Sequence, residues 1–486
     1  MVTHKQKDLA FNPYMPFWEY VPDAEPHVFG DRLYVYGSHD RRNGTSYCME
    51  DYVVWSAPVD DLSQWRCDGV SFRRTDDPRY AAEGGRDMMA PDVCQGPDGR
   101  FYLFYFNDMK TLGVAVSDKP EGPFEYIGFV HGTDDEPVHP GQAFDPGILS
   151  DETGNWLYYG FDPSKFMGKE YAANSGCFVV ELEDDMLTCK GEPQKAVPGV
   201  VESRGTPYEG HAFFEASSVR RINGRYYLVY SSELGHELCY ATSESPTGPF
   251  AYGGTIVSNS DEGYRGNAEP QAYPANTHGG LVCVDGQRYV FYHRHTHERQ
   301  YSRQACAEKI EILPDGSIPQ VEMTSCGLND GPLPTGRMYP AHIACGIRGP
   351  EGVVHISTKV FRRPSDPFLF QEGSDRNEAG DGCMYAANLQ DGAELTFKYF
   401  ACTGEERNCA LTCRAHGEDG FRGAVEVWTL DKDGTVARAG DVSVTVEGGS
   451  AWTPFSGEVA LPTGTFGIRF IPRGEGSLDL RDFTLA

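Results

Sequence analysis

Five polar residues occupy one repeated position in this sequence. Each lies 13 to 15 residues before the centre of a run in which aromatic or β-branched residues alternate with others. The runs surround Tyr36, Tyr105, Tyr159, Tyr230 and Tyr292. The residues that precede them are Asp23, Asp92, Asp145, Glu215 and His278. A shared register of four carboxylates and one histidine predicts that the five side chains occupy equivalent places in five repeated units.

Carboxyl groups in such an arrangement could hydrolyse a glycosidic bond with inversion. That reaction needs one ionised carboxylate as general base and one protonated carboxyl as general acid, with room for water between them. Asp23 and Glu215 come from the first and fourth units and can supply this pair. Asp145, from the third unit, would raise the pKa of the acid through like-charge repulsion. A single acid before a strand is usually a turn residue, whereas three in equivalent register favour a shared site.

The repeated units predict an all-β fold. A glycine-containing turn precedes each run, which is typical of a hairpin that leads into a half-buried strand. Successive tyrosines are separated by 69, 54, 71 and 62 residues, enough for about four short strands per unit. We therefore predict a five-bladed β-propeller over residues 1–325, with the repeated polar position lining its central channel. A TIM barrel would need a helix after every strand, and no such helices are evident.

The sequence pattern changes after residue 325. Residues 326–352 are rich in glycine and proline and are predicted to form a linker that packs back on the propeller. Residues 353–486 contain short alternating runs such as AELTFKYFAC, GAVEVWTL and GTFGIRFIP, separated by turns. This spacing predicts a separate β-sandwich of jelly-roll type.

Charge and composition narrow the function classes. The formal net charge of −29 argues against nucleic-acid and anionic-membrane partners, which need basic surfaces. The N-terminal residues contain no apolar signal-like segment, and the 14 cysteines are scattered without CxxC pairs. These features predict reduced thiols and a cytoplasmic protein.

Several segments together resemble glycoside hydrolase family 43, which includes α-L-arabinofuranosidases, β-xylosidases and arabinanases. They are PDAEPHVFGDRLYVYGSHD, MMAPDV, AFDPGIL, FFEASSVRRINGRYYLVYSS, NTHGGLV and YHRHTHERQYSRQACAE, spread over roughly the first 325 residues. The resemblance implies an inverting five-bladed propeller enzyme without an organic cofactor.

The resemblance also implies residue roles. Asp23 matches the general base, Asp145 the residue that tunes the pKa of the acid, and Glu215 the general acid. Asp92 and Arg303 match positions that bind the sugar. Many family members read Asp-Pro-Ser at the base, whereas this chain has Asp-Ala-Glu-Pro, so Glu25 is the alternative base. By strand alternation, Glu25 would face the same side as Asp23.

His278 matches a channel histidine that often lies beside calcium or another cation. A single histidine can equally be a structural residue, and calcium prefers oxygen ligands. One bound cation is therefore an expectation that rests on the resemblance.

The C-terminal region resembles a family 6 carbohydrate-binding module through GAVEVWTL, the segment around Trp452, GTFGIRF and SLDLRDFTL. Such modules bind sugar with stacked aromatic rings and an asparagine in the last turn. Ser477 stands at the expected asparagine position, so the resemblance indicates the fold more than the binding function.

The sequence thus favours an inverting exo-glycosidase that releases terminal α-L-arabinofuranose or β-D-xylose from plant-derived oligosaccharides. Two alternatives stay open. One is a retaining propeller enzyme that acts on fructosides or other furanosides, which needs its carboxyl groups closer together. The other is a propeller that binds sugar without turnover.

Overall fold

The regular secondary structure of the chain is almost entirely β-strand. The computed structural model describes residues 9–107, 111–138, 142–357, 359–404 and 407–486. Its helical elements are one short α-helix and four 3-10 turns: α1 (Ser164–Met167), Ala81–Glu83, Lys169–Asn174, Tyr264–Gly266 and Ala341–Ile343. Among the described residues, the helices are all too short to cross a bilayer.

Five antiparallel sheets follow one another, and each joins its strands in sequence order. The first contains β1 (Glu25–Phe29), β2 (Arg32–Tyr36), β3 (Tyr52–Pro58) and β4 (Arg66–Phe72). The second contains β5 (Asp92–Gln95), β6 (Phe101–Phe106), β7 (Leu112–Ser117) and β8 (Glu125–Phe129). The third contains β9 (Gly147–Asp151), β10 (Gly154–Phe161), β11 (Gly176–Leu182) and β12 (Gln194–Pro198). The fourth contains β13 (Phe213–Ile222), β14 (Arg225–Ser232), β15 (Glu237–Ser243) and β16 (Ala251–Ser258). The fifth contains β17 (Leu281–Val284), β18 (Gln287–His295) and β19 (Arg303–Ile310).

The first strands of the five sheets close a ring. Strand β1 contacts β5, β5 contacts β9, β9 contacts β13, β13 contacts β17, and β17 returns to β1. Separate clusters of buried apolar side chains fill the gaps between neighbouring sheets. The predicted five-bladed β-propeller is confirmed.

The five marker tyrosines all lie in the second strand of a blade. Their side chains are buried, and every residue of β6 is buried, including both faces of the strand. The sequence predicted half-buried strands here. The difference arises because each blade packs against a neighbour on both faces, so aromatic and small apolar residues fill both sides.

The N-terminal segment packs along the outer strand of the fifth blade. The backbone N–H of Tyr14 donates to the carbonyl of Ala305 in β19. The side chain of Asn12 donates to the carbonyls of Ala307 and Thr324, both at 3.0 Å, and accepts from the N–H of Ala307 at 2.9 Å. These bonds tie the start of the chain to the last blade.

Residues beyond the propeller form two sheets joined by one long strand, β30 (Gly464–Leu485). One sheet contains β20 (Leu333–Pro334), β22 (Gly346–Arg348), β25 (Glu394–Cys402), β27 (Phe421–Leu430) and β28 (Val436–Val446). The other contains β21 (Met338–Pro340), β23 (Phe368–Glu372), β24 (Cys383–Gln390), β26 (Asn408–Ala415) and β29 (Thr453–Glu458). Side chains from both sheets form one core, in which the ring centroids of Phe397 and Phe483 lie 4.6 Å apart. The predicted β-sandwich is confirmed.

Part of the predicted linker continues the sandwich. Strands β20, β21 and β22 lie within residues 326–352 and pair with β25 or β30. The same segment contacts the propeller, because Ile347 N–H donates to the carbonyl of Gln271 and Arg294 donates to that of Ala344. Strands of two or three residues leave no alternation pattern, which is why the sequence did not reveal them.

The Asn12 contacts predict a stability effect. Asn12→Ala removes the three hydrogen bonds above and a fourth to Oε1 of Glu308, and leaves backbone groups of Ala307 without a partner. The free energy of unfolding should therefore fall by about 2–4 kcal/mol. Urea denaturation followed by tryptophan fluorescence measures this. Asn408→Ala, at an exposed position in β26, is the control and should change stability little. If the two variants were equally stable, the Asn12 hydrogen bonds would not be what holds the N-terminal segment to the fifth blade.

Candidate active site

Four of the five repeated polar residues converge on one cavity. Asp23, Asp145 and His278 lie just before the first strands of their blades, and Glu215 is the third residue of β13. Together with Arg303 they line a cavity of about 670 Å³. The convergence follows from the closed ring, because the starts of the innermost strands meet around one axis.

Asp23 is held in an unusual backbone conformation. Its φ of 57° lies in the left-handed region, which is uncommon for a residue other than glycine. Its N–H donates to Nδ1 of His293 at 3.2 Å, while Nε2 of His293 lies 2.9 Å from the carbonyl of Asn276. That carbonyl accepts the proton on Nε2, so His293 is the neutral tautomer. Burial lowers the pKa of His293 well below its usual range, consistent with this state.

The carboxylate of Asp23 is paired with Arg303. Nη1 of Arg303 donates to Oδ1 of Asp23 at 2.9 Å, and both side chains are buried. Burial alone would raise the pKa of Asp23, but the guanidinium outweighs it, with help from His278, and lowers the pKa to about 2. Asp23 is therefore ionised throughout the neutral range, as a general base requires.

Arg303 is itself fixed by a second carboxylate. Its Nε donates to Oδ2 of Asp40 at 2.8 Å and its Nη2 to Oδ1 at 3.0 Å, and its guanidinium carbon lies 4.7 Å from the ring centroid of Tyr47. Arg303 was predicted to bind sugar hydroxyls. In the structure it lines the cavity, but its hydrogen bonds go to Asp23 and Asp40. Asp40 ends the quoted segment PDAEPHVFGDRLYVYGSHD, although the sequence alone assigned it no role.

Glu215 lies at an irregular point of β13. The pairing of β13 with β14 shifts register on both sides of Glu215, and the next residue, Ala216, has a φ of 73°. Such bulges redirect side chains and are common beside active sites. Burial and the charge of Asp23 raise the pKa of Glu215 to about 7, although His278, Arg303 and Lys165 oppose the shift. Glu215 can therefore keep a proton near neutral pH, as a general acid requires.

Asp145 connects Glu215 to His278. Its Oδ2 accepts a hydrogen bond from Ala216 N–H at 3.1 Å and lies 3.6 Å from Nδ1 of His278. Burial raises the pKa of Asp145 well above its usual range, and the charges of Glu215 and Asp23 add to this effect. Burial would lower the pKa of His278, but Glu25, Asp145 and Asp23 together raise it to about 9. The imidazolium thus offsets part of the negative charge.

Glu25, the alternative base, is not part of the cavity lining. Glu25 is fully buried, and its Oε2 accepts from Ser218 at 2.9 Å and from Arg220 at 2.8 Å. The left-handed turn at Asp23 breaks the strand alternation that would have put both acids on one face. The structure therefore favours Asp23 over Glu25 as the base.

Asp92, predicted to bind sugar, is fully buried and is not part of the cavity lining. It lies 2.7 Å from Nε2 of His27, and it accepts from the N–H of Val93 at 2.7 Å and of Ile148 at 2.8 Å. It therefore joins three blades. Its neighbours Met89 and Ala90 line the cavity instead.

The surroundings of His278 bear on the expected cation. Nε2 of His278 and Oε1 of Glu25 lie 3.7 Å apart, and both are buried without a hydrogen-bond partner among the described residues. One nitrogen and one carboxylate oxygen that face each other fit a partly hydrated divalent cation, with His278 then neutral. Without the cation, the proton of the imidazolium supplies the positive charge at the same place.

The rest of the cavity wall was not predicted from the sequence. One side is aromatic: Phe144, Phe161 and Phe214 succeed one another with ring centroids 5.0 to 5.1 Å apart. Lys165 on α1 places Nζ 4.4 Å from the ring centroid of Phe214. Another part comes from beyond the propeller, at His355 to Ser357. Phe144 and Phe214 directly precede Asp145 and Glu215 in the quoted segments AFDPGIL and FFEASSVRRINGRYYLVYSS, but the sequence assigned them no role. Lys165 and residues 355–357 lie outside the quoted segments.

Comparison with known proteins places the chain in a family. Residues 19–318 match the family model described as glycosyl hydrolases family 43. The chain is 45% identical to a xylosidase/arabinosidase of Thermoclostridium stercorarium, over 98% of both chains. The chain belongs to glycosyl hydrolase family 43. This family 43 glycoside hydrolase is also 32% identical to a xylosidase/arabinosidase of Bacteroides ovatus, over 57% of the chain and 86% of the relative.

Solved structures support the same fold. A family 43 arabinoxylan arabinofuranohydrolase from Bacillus subtilis in complex with cellotetraose has a TM-score of 0.51 at 20% identity, covering 98% of this chain and 97% of that one. A GH43_1 enzyme from Xanthomonas citri complexed with xylotriose has a TM-score of 0.52 at 26% identity, covering 66% and 96%. The first match extends through the C-terminal sandwich of this glycosidase.

The left-handed conformation of Ala216 predicts a selective loss of activity. Ala216→Val should lower kcat by about 100-fold, because a β-branched residue disfavours this φ and the backbone shift would misplace Glu215. Ala216→Gly is the matched control and should retain activity, since glycine adopts the conformation freely. Initial rates with a 4-nitrophenyl glycoside measure both. Full activity of the valine variant would show that the bulge does not position Glu215.

Proposed function

We propose that this protein is an inverting exo-glycosidase that removes terminal α-L-arabinofuranosyl or β-D-xylosyl residues from plant-derived oligosaccharides. Asp23 is the general base, Glu215 the general acid and Asp145 the residue that tunes and positions the acid. One observation carries the proposal: two carboxyl groups line one cavity, Asp23 bonded to Arg303 and Glu215 without an ion-pair partner among the described residues. The first arrangement lowers the pKa of Asp23, and burial raises that of Glu215.

The proposed reaction uses this difference directly. Ionised Asp23 accepts a proton from a water molecule as the water oxygen bonds to the anomeric carbon. The bond from that carbon to the leaving oxygen breaks on the opposite face, and Glu215 gives its proton to the leaving oxygen. The anomeric configuration is inverted, as is general in family 43. The charge of Arg303 keeps Asp23 from holding a proton before the reaction starts.

The substrate class rests on relatives and on the cavity. Both relatives compared above are named xylosidase/arabinosidase, and one is similar along its whole length. The aromatic rings of Phe144, Phe161 and Phe214 suit the apolar face of a sugar ring, and the charged catalytic groups line the same cavity. The choice between arabinofuranoside and xyloside is left to experiment.

The raised pKa of Glu215 favours catalysis over the two alternatives. A propeller that only binds sugar has no need of a protonated carboxyl beside an ionised one. A retaining furanosidase would use the ionised carboxylate as a nucleophile, which family 43 membership disfavours.

The proposed hydrolysis consumes only water and needs no organic cofactor. A divalent cation such as Ca²⁺ would be held by Nε2 of His278 and Oε1 of Glu25, and would supply positive charge near Asp145. The described cysteines, which are all 14 of the chain, are not joined in disulfides. The cytoplasmic location stays a prediction from the sequence.

The roles of Asp23 and Glu215 predict different responses to the leaving group. Asp23→Asn and Glu215→Gln should each lower kcat/KM on xylobiose by about 10³-fold, since each removes a proton-transfer group. With 4-nitrophenyl β-D-xyloside and α-L-arabinofuranoside, Glu215→Gln should retain much more activity than Asp23→Asn. Nitrophenolate leaves without protonation, whereas attack by water still needs the base.

The readouts are 4-nitrophenol release and xylose release, with the anomeric product followed by NMR. Glu25→Gln tests the alternative base. If Glu25→Gln lost the nitrophenyl activity while Asp23→Asn kept it, the base would be reassigned. Wild-type activity in all three variants would end the proposal.

The two pKa values predict the pH profile. The active form has Asp23 ionised and Glu215 protonated, so kcat/KM should be level at mildly acid pH and fall about tenfold per unit well above pH 7. Lys165→Met removes a positive charge that lowers the pKa of Glu215, so this alkaline limb should move to higher pH. Lys169→Met, at an exposed position nearby, should leave the limb in place. Movement of the limb to lower pH in Lys165→Met would contradict the assignment of Glu215.

A further inference from the structure

A second large cavity lies at the seam between the propeller and the sandwich. Its volume is about 660 Å³, close to that of the catalytic cavity. Glu298 and Arg299 of the propeller form one side, and residues 361–366 form another. Strands β23 and β24 of the sandwich complete the wall. Nothing in the proposed glycosidase reaction uses this space.

Aromatic rings line the sandwich side of this seam cavity. The ring centroid of Phe370 lies 6.0 Å from that of Phe368 and 5.8 Å from that of Tyr385, and His416 lies 6.3 Å from Phe368. Phe361 is half exposed at the opposite side. A cavity walled by flat rings, with polar groups at a few points, is typical of sites for small ring-shaped ligands.

The seam cavity also carries an excess of positive charge. Its lining holds Arg299, Arg362 and Arg363 against Glu298 and Asp366, in a chain with a net charge of −29. Asp366 is already bound by Arg363, with Nε to Oδ1 at 3.1 Å and to Oδ2 at 3.2 Å. Two arginines are therefore left for one exposed glutamate.

Arg362 is the most informative of these residues. Its guanidinium carbon lies 4.4 Å from the ring centroid of Tyr273, which fixes the plane of the group. Nε and Nη1 of Arg362 are buried and have no hydrogen-bond partner among the described residues. Arg362 lines the cavity and forms no ion pair among the described residues, so its uncompensated charge favours an anionic ligand there.

We propose that the seam cavity binds a carboxylate-bearing sugar, such as a uronic acid unit of a plant oligosaccharide. A carboxylate supplies the negative charge that the guanidinium groups of Arg299 and Arg362 attract. The partly exposed rings of Phe368 and Phe370 provide the surfaces on which a sugar ring stacks. A neutral sugar would satisfy the rings but not the charge of Arg362.

The seam cavity lies beside the catalytic cavity, which suggests how a ligand bound there would serve the reaction. Arg299 lines the seam cavity and the next residue, Gln300, lines the catalytic cavity. Likewise, His355 to Ser357 line the catalytic cavity, and Phe361 and Arg362 line the other. Two short segments thus separate the two cavities. A ligand held in the seam would keep a branched, acidic oligosaccharide close to the catalytic carboxyl groups.

The test compares two ligands that differ only in charge. Isothermal titration calorimetry of the full chain with methyl β-D-glucuronide and with methyl β-D-glucoside should give binding at least about tenfold tighter for the glucuronide. Arg362→Gln should weaken glucuronide binding about tenfold and affect the glucoside little. Raising the salt concentration should weaken only the glucuronide.

Two further variants guard against misfolding and against binding elsewhere. Arg299→Gln changes an exposed residue and should weaken glucuronide binding about threefold, without lowering the melting temperature. Lys165→Met removes a cation from the catalytic cavity and should leave glucuronide binding unchanged. No glucuronide binding, equal binding of both ligands, loss only in Lys165→Met, or unchanged binding in both arginine variants would each overturn the proposal. These experiments measure binding without turnover, so their outcome is independent of the proposed hydrolysis.

Discussion

The buried ion pair between Arg303 and Asp23 is the interaction on which the site depends. It joins the fifth blade to the segment before the first, at the point where the ring of blades closes. Asp40 holds the same guanidinium with two further hydrogen bonds. A buried pair of this kind contributes little net stability, but removal of one partner leaves an uncompensated charge. Its value here is electrostatic, because it holds Asp23 ionised beside Glu215.

The protonation of the other carboxyl groups follows from that constraint. Burial is the largest cause that raises the pKa values of Asp145 and Glu215, and the charge of ionised Asp23 raises both further. His278 offsets part of this charge on the side of Asp145. Glu215 has no ion-pair partner among the described residues and faces the cavity, which makes its proton available to a bound sugar. One fold thus provides both a base and an acid from the same residue types.

The backbone departs from relaxed geometry at three points of the site. Asp23, Asp145 and Ala216 all have positive φ values, at 57°, 43° and 73°. Each such residue costs about 1–3 kcal/mol, which the surrounding blades must offset. The hydrogen bonds from Asp23 N–H to His293 and from Ala216 N–H to Asp145 hold two of them in place. These backbone conformations set the direction of the carboxyl groups relative to the neighbouring strands.

The sandwich is bound to the propeller region by ion pairs and a hydrogen bond. Lys398 of β25 pairs with Asp261 at 3.1 Å and Glu322 at 2.8 Å in the propeller region, and Tyr399 donates to Glu322 at 2.6 Å. Burial raises the pKa of Asp261 to about 6 despite the charge of Lys398. This contact fixes the seam, and both the catalytic cavity and the seam cavity draw residues from beyond the propeller.

The sequence by itself determined the repeat, the number of blades and the register of Asp23, Asp145, Glu215 and His278. Periodic strands and turn residues are local signals, so five copies of one pattern specify both the propeller and the position that lines its axis. The tertiary structure decided what each polar residue does there. Asp92 follows the same register, yet it binds His27 and two backbone N–H groups instead of facing the cavity. Strand alternation predicted that Glu25 shares a face with Asp23, but in the structure the left-handed turn at Asp23 separates the two acids. Arg303 bonds to Asp23 and Asp40, which are far from it in the chain, and the seam around Arg362 likewise brings distant residues together. Such contacts leave no periodic pattern, because they depend on how the blades and the sandwich pack.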